Sequence, residues 1–195
     1  MNTTHIVYCL TFLMGSFNCL ALANSDNLPF WSAQVRLAGL VIHPDGGSTP
    51  EIYPRKLDEK AYFLISPGLV AGLNYHMSQN HSFKGQAALL KDCADLWEGY
   101  LHLGYRYSYP FNKKMDLSLS MGPTLIWRED WNRFQEWRDY QGYKFFNNKW
   151  KNYEYEFIVY GGEIELSYQL GEMKLIAAVT PGFITLFTFG VEKRL

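Results

Sequence analysis

The chain has 195 residues, of which 48% are hydrophobic and 17% aromatic, and its formal net charge is −1. This length suits a single domain. The near-neutral charge argues against a nucleic-acid partner, because binding a phosphate backbone needs a basic surface.

An apolar run near the amino terminus predicts a cleaved signal peptide. Residues 6–17 form this run, and Ala-Leu-Ala-Asn at 21–24 supplies a small-residue cleavage site after Ala23. A membrane-spanning helix needs about 20 apolar residues, so the run is too short to be one. We therefore predict a signal peptide over 1–23 and a mature domain over 24–195.

Cleavage at that site would leave one cysteine in the mature chain. Cys9 and Cys19 lie in the predicted signal peptide, and Cys93 is the remaining one. A secreted domain with one thiol cannot form an internal disulfide. Cys93 is therefore free, paired between chains, or used chemically.

Apolar and polar residues alternate with period two along most of the mature chain, which predicts β-strands with two different faces. In one such stretch, Leu101 and Leu103 lie on one face while His102 and Arg106 lie on the other. The pattern predicts eight strands, at 31–43, 61–76, 82–91, 95–109, 115–129, 153–169, 173–180 and 183–195.

The connections between these strands differ in length at the two ends. The predicted long ones are 44–60 and 130–152, and the others are mostly short turns. Together with the alternation, this predicts an all-β fold: an eight-stranded antiparallel up-and-down transmembrane β-barrel. Gly161-Gly162, where the apolar parity shifts, predicts a β-bulge. The location expected for a monomeric barrel of this kind is the outer membrane of a Gram-negative bacterium. The alternative is a soluble β-sandwich or lipocalin-like barrel, whose aromatic face would point inward.

Three prolines interrupt the predicted strands. They are Pro67, Pro123 and Pro181. Because proline cannot donate to a strand ladder, it weakens pairing locally. Each position is either a bulge or strand end, or the edge of a lateral gap through which a lipid tail could enter the barrel.

Asp92 and Cys93 adjoin at the predicted junction of the third and fourth strands, at the long-loop end. A cysteine nucleophile needs thiolate character, which an acid–base partner usually supplies. His43 ends the first strand at the same rim, so barrel closure could bring the three together. His102, on the inward face, is expected to be a hydrogen-bonded member of the polar interior.

The sequence resembles one known family at this point. Lys91-Asp92-Cys93, followed by Trp97-Glu98, resembles the signature of outer-membrane lipid A palmitoyltransferases of the PagP type, which reads Lys-Asp-Ser with the same spacing to Trp-Glu. The stretches 127–132 and 180–183 resemble the family's Arg-x-x-Trp-Asn and Pro-Gly segments. The resemblance spans roughly 31–195, and only the Lys-Asp-x motif is at all specific.

The resemblance implies an eight-stranded barrel that moves a palmitoyl chain from a phospholipid donor to a lipid A acceptor, without a metal or cofactor. The family's catalytic residues fall on His43, Asp92 and Cys93, and Gly104 falls on the floor of its internal acyl pocket. The prolines flanking the family's lateral gates fall on Pro67, Pro123 and Pro181. We also expect lipid A phosphates to contact basic residues in or next to the long connection 130–152: Arg128, Lys144, Lys149 and Lys151.

This chain departs from the family pattern in three ways. Only residues 24–30 lie between the predicted cleavage site and the first strand, which leaves no room for the family's N-terminal amphipathic helix. Cysteine replaces the family's serine, which either changes the nucleophile or abolishes the activity. Thiolates are intrinsically stronger nucleophiles, so a working site is physically reasonable. His102 and Arg106 bracket Gly104 on the inner face, and we expect them to join an ion-pair plug with Glu163, Glu165, Glu192 or Arg194. Two other functions stay open: a non-enzymatic structural or adhesive outer-membrane barrel, and a lipid A deacylase.

Overall fold

The computed structural model describes residues 29–43, 50–139, 145–181 and 185–195. The predicted signal peptide lies outside the described residues. The strands, numbered in chain order, are β1 Phe30–Ile42, β2 Phe63–His76, β3 His81–Lys91, β4 Trp97–Pro110, β5 Met115–Glu129, β6 Asn148–Trp150, β7 Tyr153–Leu170, β8 Met173–Thr180 and β9 Thr185–Arg194.

Eight of these strands close into an antiparallel barrel. Consecutive barrel strands pair with one another, β5 pairs with β7, and β1 pairs with β9 to close the ring. The predicted eight-stranded barrel is therefore confirmed. The short β6 lies outside the ring and extends β7 at the long-loop end.

The helices are short and lie in the loops. Pro50–Ile52 and Trp131–Arg133 are 3₁₀ turns, and α1 is Gln135–Asp139. No helix among the described residues is long and apolar enough to cross a membrane.

The outer face of the barrel is apolar and exposed. Leu37 is 65% exposed, Leu103 is 68% exposed and Tyr160 is 78% exposed. Alternate residues on the same strands point inward, so polar groups such as His102 and Arg106 are buried. A closed barrel with an exposed apolar outer face and buried polar groups inside is the arrangement of a membrane-spanning barrel. The outward position of the apolar strand face excludes the soluble alternative, in which that face points inward.

Charged side chains fill the half of the barrel nearest the short turns. Glu163 binds Arg36 at 2.8 Å and also Lys84, and Lys84 binds Glu165 at 2.8 Å. Arg106 binds Glu165 and lies 3.6 Å from a carboxylate oxygen of Glu192. We call these six residues, three cations and three carboxylates, the ion-pair plug. The expected plug is thus confirmed for Arg106 and the three glutamates.

Apolar side chains fill the other half of the interior. A buried cluster joins inward-facing strand residues to residues of three loops at the long-loop end. Its strand members are Ala38, Val41, Leu64, Val70, Ala88, Leu90, Tyr100 and Leu186, and its loop members are Tyr53, Ala61, Cys93, Ala94, Leu96, Trp131 and Trp137. We call this set the mouth cluster.

Two irregularities bend the ladders. At Gly39 the register of β1 shifts against both β2 and β9, between Ala38 and Leu40. The β5–β7 register shifts so that Val159 and Tyr160 oppose Pro123. The second is the predicted bulge, displaced from Gly161-Gly162 by about two residues. Proline has no N–H to give the ladder, so the partner strand bulges opposite it.

Candidate functional site

Three loops meet over the long-loop end of the barrel and cover it. Tyr53 comes from the loop after β1, and Cys93 from the loop after β3. Trp131 and Trp137 come from the loop after β5. The ring centroid of Trp131 lies 5.9 Å from that of Tyr53 and 4.9 Å from that of Trp137. These aromatic rings form a roof over the interior.

His43 follows β1 directly and lies under this roof. Its backbone N–H donates to Tyr62 O at 2.9 Å, and its ring packs edge-on against Tyr53 with centroids 5.8 Å apart. Its Nε2 is buried without a hydrogen-bond partner among the described residues. Burial lowers the pKa of His43 to about 4, so its imidazole is neutral and a weak base.

Asp92 holds the loop after β3 in place. Its carboxylate accepts hydrogen bonds from the backbone N–H of Ala94 at 2.9 Å and of Leu96 at 2.8 Å. It also accepts one from Nε1 of Trp131 at 2.5 Å, which links the loop after β3 to the loop after β5. Burial raises the pKa of Asp92, and these hydrogen bonds oppose that rise. The observed role of Asp92 is to position two loops.

Cys93 is a free, buried cysteine with 6% of its surface exposed. Burial, with the nearby charge of Asp92, raises the pKa of its thiol well above the ordinary value. The structure therefore brings His43, Asp92 and Cys93 to one end of the barrel. No hydrogen bond joins any two of these side chains in the part of the chain that the structure describes. In this closed arrangement the sulfur is a protonated thiol, which is a poor nucleophile.

Gly104 faces the interior, as the alternation predicts, but the space over it is filled. A side chain there would meet the imidazole of His102 and the hydroxyl of Ser120, the latter at 2.7 Å. His102 is held in that place by Thr124 Oγ1 at 2.7 Å and Ser120 Oγ at 3.0 Å. An acyl chain reaching Gly104 would have to displace His102 and break both hydrogen bonds.

Arg128 is buried beneath the roof. Its Nε donates to Glu154 at 2.9 Å, and its guanidinium lies 4.3 Å from the ring centroids of both Trp131 and Phe146. Such contacts stabilise the charge inside the protein. Of the lysines expected to contact lipid A phosphates, Lys149 binds Asp130 at 2.7 Å and Lys151 lies 5.1 Å from the ring centroid of Trp150. Lys144 lies outside the described residues.

The three prolines lie in different surroundings. Pro67 is exposed and directly precedes Gly68, which forms the last pair of the β2–β3 ladder with Leu90. Pro123 opposes the β7 bulge. Pro181 directly follows the last residue of β8. In the β1–β2 ladder, Ser66 and Pro67 oppose the single residue Gly39 at the register shift. The bulge and strand-end interpretation therefore describes all three prolines.

Sequence reasoning did not assign Tyr53, Trp131 or Trp137 to the site. The signal that could have pointed to the two tryptophans is the composition of 130–152, which holds three of the six tryptophans of the chain. In the structure both Trp131 and Trp137 turn inward and are at most 6% exposed. Among the described residues, no group of three or more His, Cys, Asp or Glu side chains could hold a metal ion.

Comparison with known proteins gives no family. No protein-family model matches the chain, and no curated protein matches it in sequence.

Several solved membrane barrels are similar in shape. The attachment invasion locus protein Ail of Yersinia pestis, solved with the heparin analogue sucrose octasulfate, has 9% identity and a TM-score of 0.47, covering 85% of this chain and 99% of Ail. The outer membrane protein AlkL, solved in lipid bilayers, has 12% identity and a TM-score of 0.47, covering 91% of this chain and 95% of AlkL. A designed transmembrane β-barrel has 7% identity and a TM-score of 0.48, covering 88% of this chain and all of that one. Identities and TM-scores as low as these support no conclusion about function. The barrel itself is established by its strand pairing.

The burial of His43 predicts a specific pH dependence of stability. Its pKa falls from 6.5 to about 4 on folding, so between these values the unfolded chain binds more protons than the folded one. The free energy of unfolding must then fall as the pH falls through this window, by up to about 3 kcal/mol. Urea unfolding of the lipid-reconstituted protein at several pH values, compared with His43→Gln, measures this term. Identical pH profiles for the two proteins would contradict it.

Proposed function

We propose that the protein is a non-enzymatic barrel of the bacterial outer membrane, with a structural or adhesive role carried by its outer loops. One observation carries this proposal: buried side chains occupy both halves of the described interior. The ion-pair plug occupies one half, the mouth cluster the other, and three loops roof it. A filled and roofed barrel suits a scaffold better than a conduit or an acyl-binding enzyme.

The outer loops supply surface for such a role. The β6–β7 hairpin stands beyond the barrel ring and carries exposed aromatic residues, with Trp150 65% exposed and Tyr153 39% exposed. Aromatic side chains of this kind are common at contact surfaces because they are large and amphipathic. This hairpin is the surface we assign to contact with other molecules.

A second candidate function is acyl transfer from a phospholipid to lipid A. The observation that favours it is the placement of His43, Asp92 and Cys93 at one barrel end, with Nε2 of His43 unpartnered. In this reaction Cys93 would give its proton to His43 and attack the ester carbonyl, forming a thioester. The lysophospholipid would leave with that proton, and a lipid A hydroxyl would then take the acyl group and return a proton. The roof would have to open before this reaction, because in the closed arrangement the Cys93 thiol is buried and therefore protonated.

Lipid A mass spectrometry distinguishes the two functions. Lipid A is compared between the native bacterium, a strain lacking the gene, and strains carrying Cys93→Ala, Cys93→Ser or His43→Ala. The non-enzymatic proposal predicts identical acyl composition in all five. An acyl chain present only with the native gene, and lost in Cys93→Ala and His43→Ala, would establish acyl transfer. A chain missing in the native strain and present in the deletion strain would indicate a deacylase.

A further inference from the structure

A short segment of the loop after β1 pairs with β2 as an extra strand. The N–H of Leu57 donates to Phe63 O at 2.8 Å, and the N–H of Ile65 donates to Arg55 O at 3.1 Å. Lys56 and Leu64 form the bridge between them. The segment 55–57 and the start of β2 therefore form a hairpin.

The turn of this hairpin is held by a carboxylate. Asp58 accepts hydrogen bonds from the backbone N–H of Phe63 at 2.7 Å and of Tyr62 at 3.1 Å. The hydrogen bond from Phe63 leads the causes that lower the pKa of this exposed carboxyl. The turn is thus defined by specific bonds and is not a loose excursion of the loop.

The segment lies on the side of β2 where β3 would continue. Tyr62 faces β1, since its carbonyl accepts from the N–H of His43. The backbone N–H and C=O groups of successive strand residues point to opposite sides of the strand. Those of Phe63 and Ile65 therefore point away from β1. The β2–β3 ladder itself ends with Gly68 opposite Leu90. Residues 55–57 therefore occupy the position of the missing part of β3.

Side chains bridge the unpaired interval between β2 and β3 and attach residues 55–57 to the loop after β3. Ser66 Oγ donates to Lys91 O at 2.5 Å, which spans the interval beside Pro67. Arg55 forms an ion pair with Asp95 of the loop after β3, at 2.7 Å. Tyr53, just before the segment, is 4% exposed and packs in the mouth cluster, to which Cys93 also belongs.

We propose that residues 53–57 are a strap that closes the side of the barrel between β2 and β3 and shuts Cys93 off from the bilayer. Two main-chain hydrogen bonds and one half-exposed ion pair fix residues 55–57, and Tyr53 packs in the mouth cluster. The main-chain pairing of the strap is short, whereas full ladders join the barrel strands. Its release opens the wall above Pro67 towards lipid and leaves the barrel ring intact. The strap does not depend on which of the two candidate functions is correct, because it concerns access to a thiol and not a reaction.

Cys93 reports on the strap directly. The mature protein in phosphatidylcholine vesicles is treated with a lipid-soluble aromatic maleimide or with a charged, water-soluble thiol reagent, at one fixed pH. Labelling of Cys93 is followed by peptide mass spectrometry. We expect slow labelling of the native protein, because its thiol is buried and protonated.

Two variants weaken the strap. Asp95→Asn removes the ion pair, and asparagine tolerates the positive φ of 63° at this position. Loss of a half-exposed pair should speed labelling by the lipid-soluble reagent about two- to five-fold. Leu57→Pro removes one of the two main-chain hydrogen bonds, and we expect about ten-fold faster labelling by the same reagent.

Matched controls separate the strap from general loosening. Leu57→Ala keeps the N–H and changes only an exposed side chain, and Lys174→Gln removes an ion pair of similar exposure at the opposite end of the barrel. Both should label at the native rate. Native rates in Asp95→Asn and Leu57→Pro would overturn the proposal. Equal acceleration with the charged reagent would also overturn it, since that places the opening at the water-facing mouth. If Leu57→Pro does not fold, Asp95→Asn decides alone.

Discussion

Replacing Glu163 with glutamine is expected to lower the free energy of unfolding by about 3–5 kcal/mol, because it leaves buried cations without their counter-charge. Glu163 accepts from Arg36 at 2.8 Å, from Gln86 at 3.2 Å and from Lys84. It is 1% exposed, so water cannot replace the lost carboxylate. Urea unfolding in lipid vesicles, followed by tryptophan fluorescence, measures the change.

Two comparisons test whether charge imbalance is the cause. Lys84→Met together with Glu163→Gln leaves two cations and two carboxylates in the plug, and we expect it to be more stable than Glu163→Gln alone. Lys174→Gln removes a partly exposed pair with Asp116 and should cost at most about 1 kcal/mol. If Glu163→Gln costs no more than Lys174→Gln, the plug does not stabilise the barrel as described.

The strand positions could be predicted from sequence because alternation is a local property. β2 was predicted at 61–76 and lies at Phe63–His76, and β4 was predicted at 95–109 and lies at Trp97–Pro110. Each residue of a barrel strand faces either lipid or the interior, so its polarity records its orientation. β6 was missed because its three residues show no alternation, and its pairing depends on β7 rather than on its own sequence.

The side on which Gly104 lies could be predicted, but what fills the space beside it could not. His102 stands two residues earlier on the same face, and its ring turns over Gly104 because Ser120 and Thr124 on β5 bind both of its nitrogens. The orientation of the His102 ring therefore depends on the register between β4 and β5. The same holds for Trp131, whose inward position depends on the distant carboxylate of Asp92.

Gly190→Ala is expected to destabilise the barrel by about 3 kcal/mol or to prevent its closure. Gly190 of β9 lies opposite Arg36 of β1, in the seam where the first and last strands meet. A methyl group there would press against Val35 O and lie 2.5 Å from Cα of Arg36. Both are backbone atoms, so relief requires β1 and β9 to move apart.

Gly39→Ala is the matched control for this prediction. Gly39 also lies in β1, but a methyl group there meets nothing within 4 Å, so we expect a change within about 0.5 kcal/mol. Unfolding in urea, and the mobility of unheated against heated protein on gels, measure stability and closure of both variants. If the two variants lose similar stability, the cause would be the removal of glycine from a strand and not the close approach at the seam. A large loss confined to Gly190→Ala would show that the β1–β9 contact depends on a residue without a side chain, and therefore that this seam limits how the barrel closes.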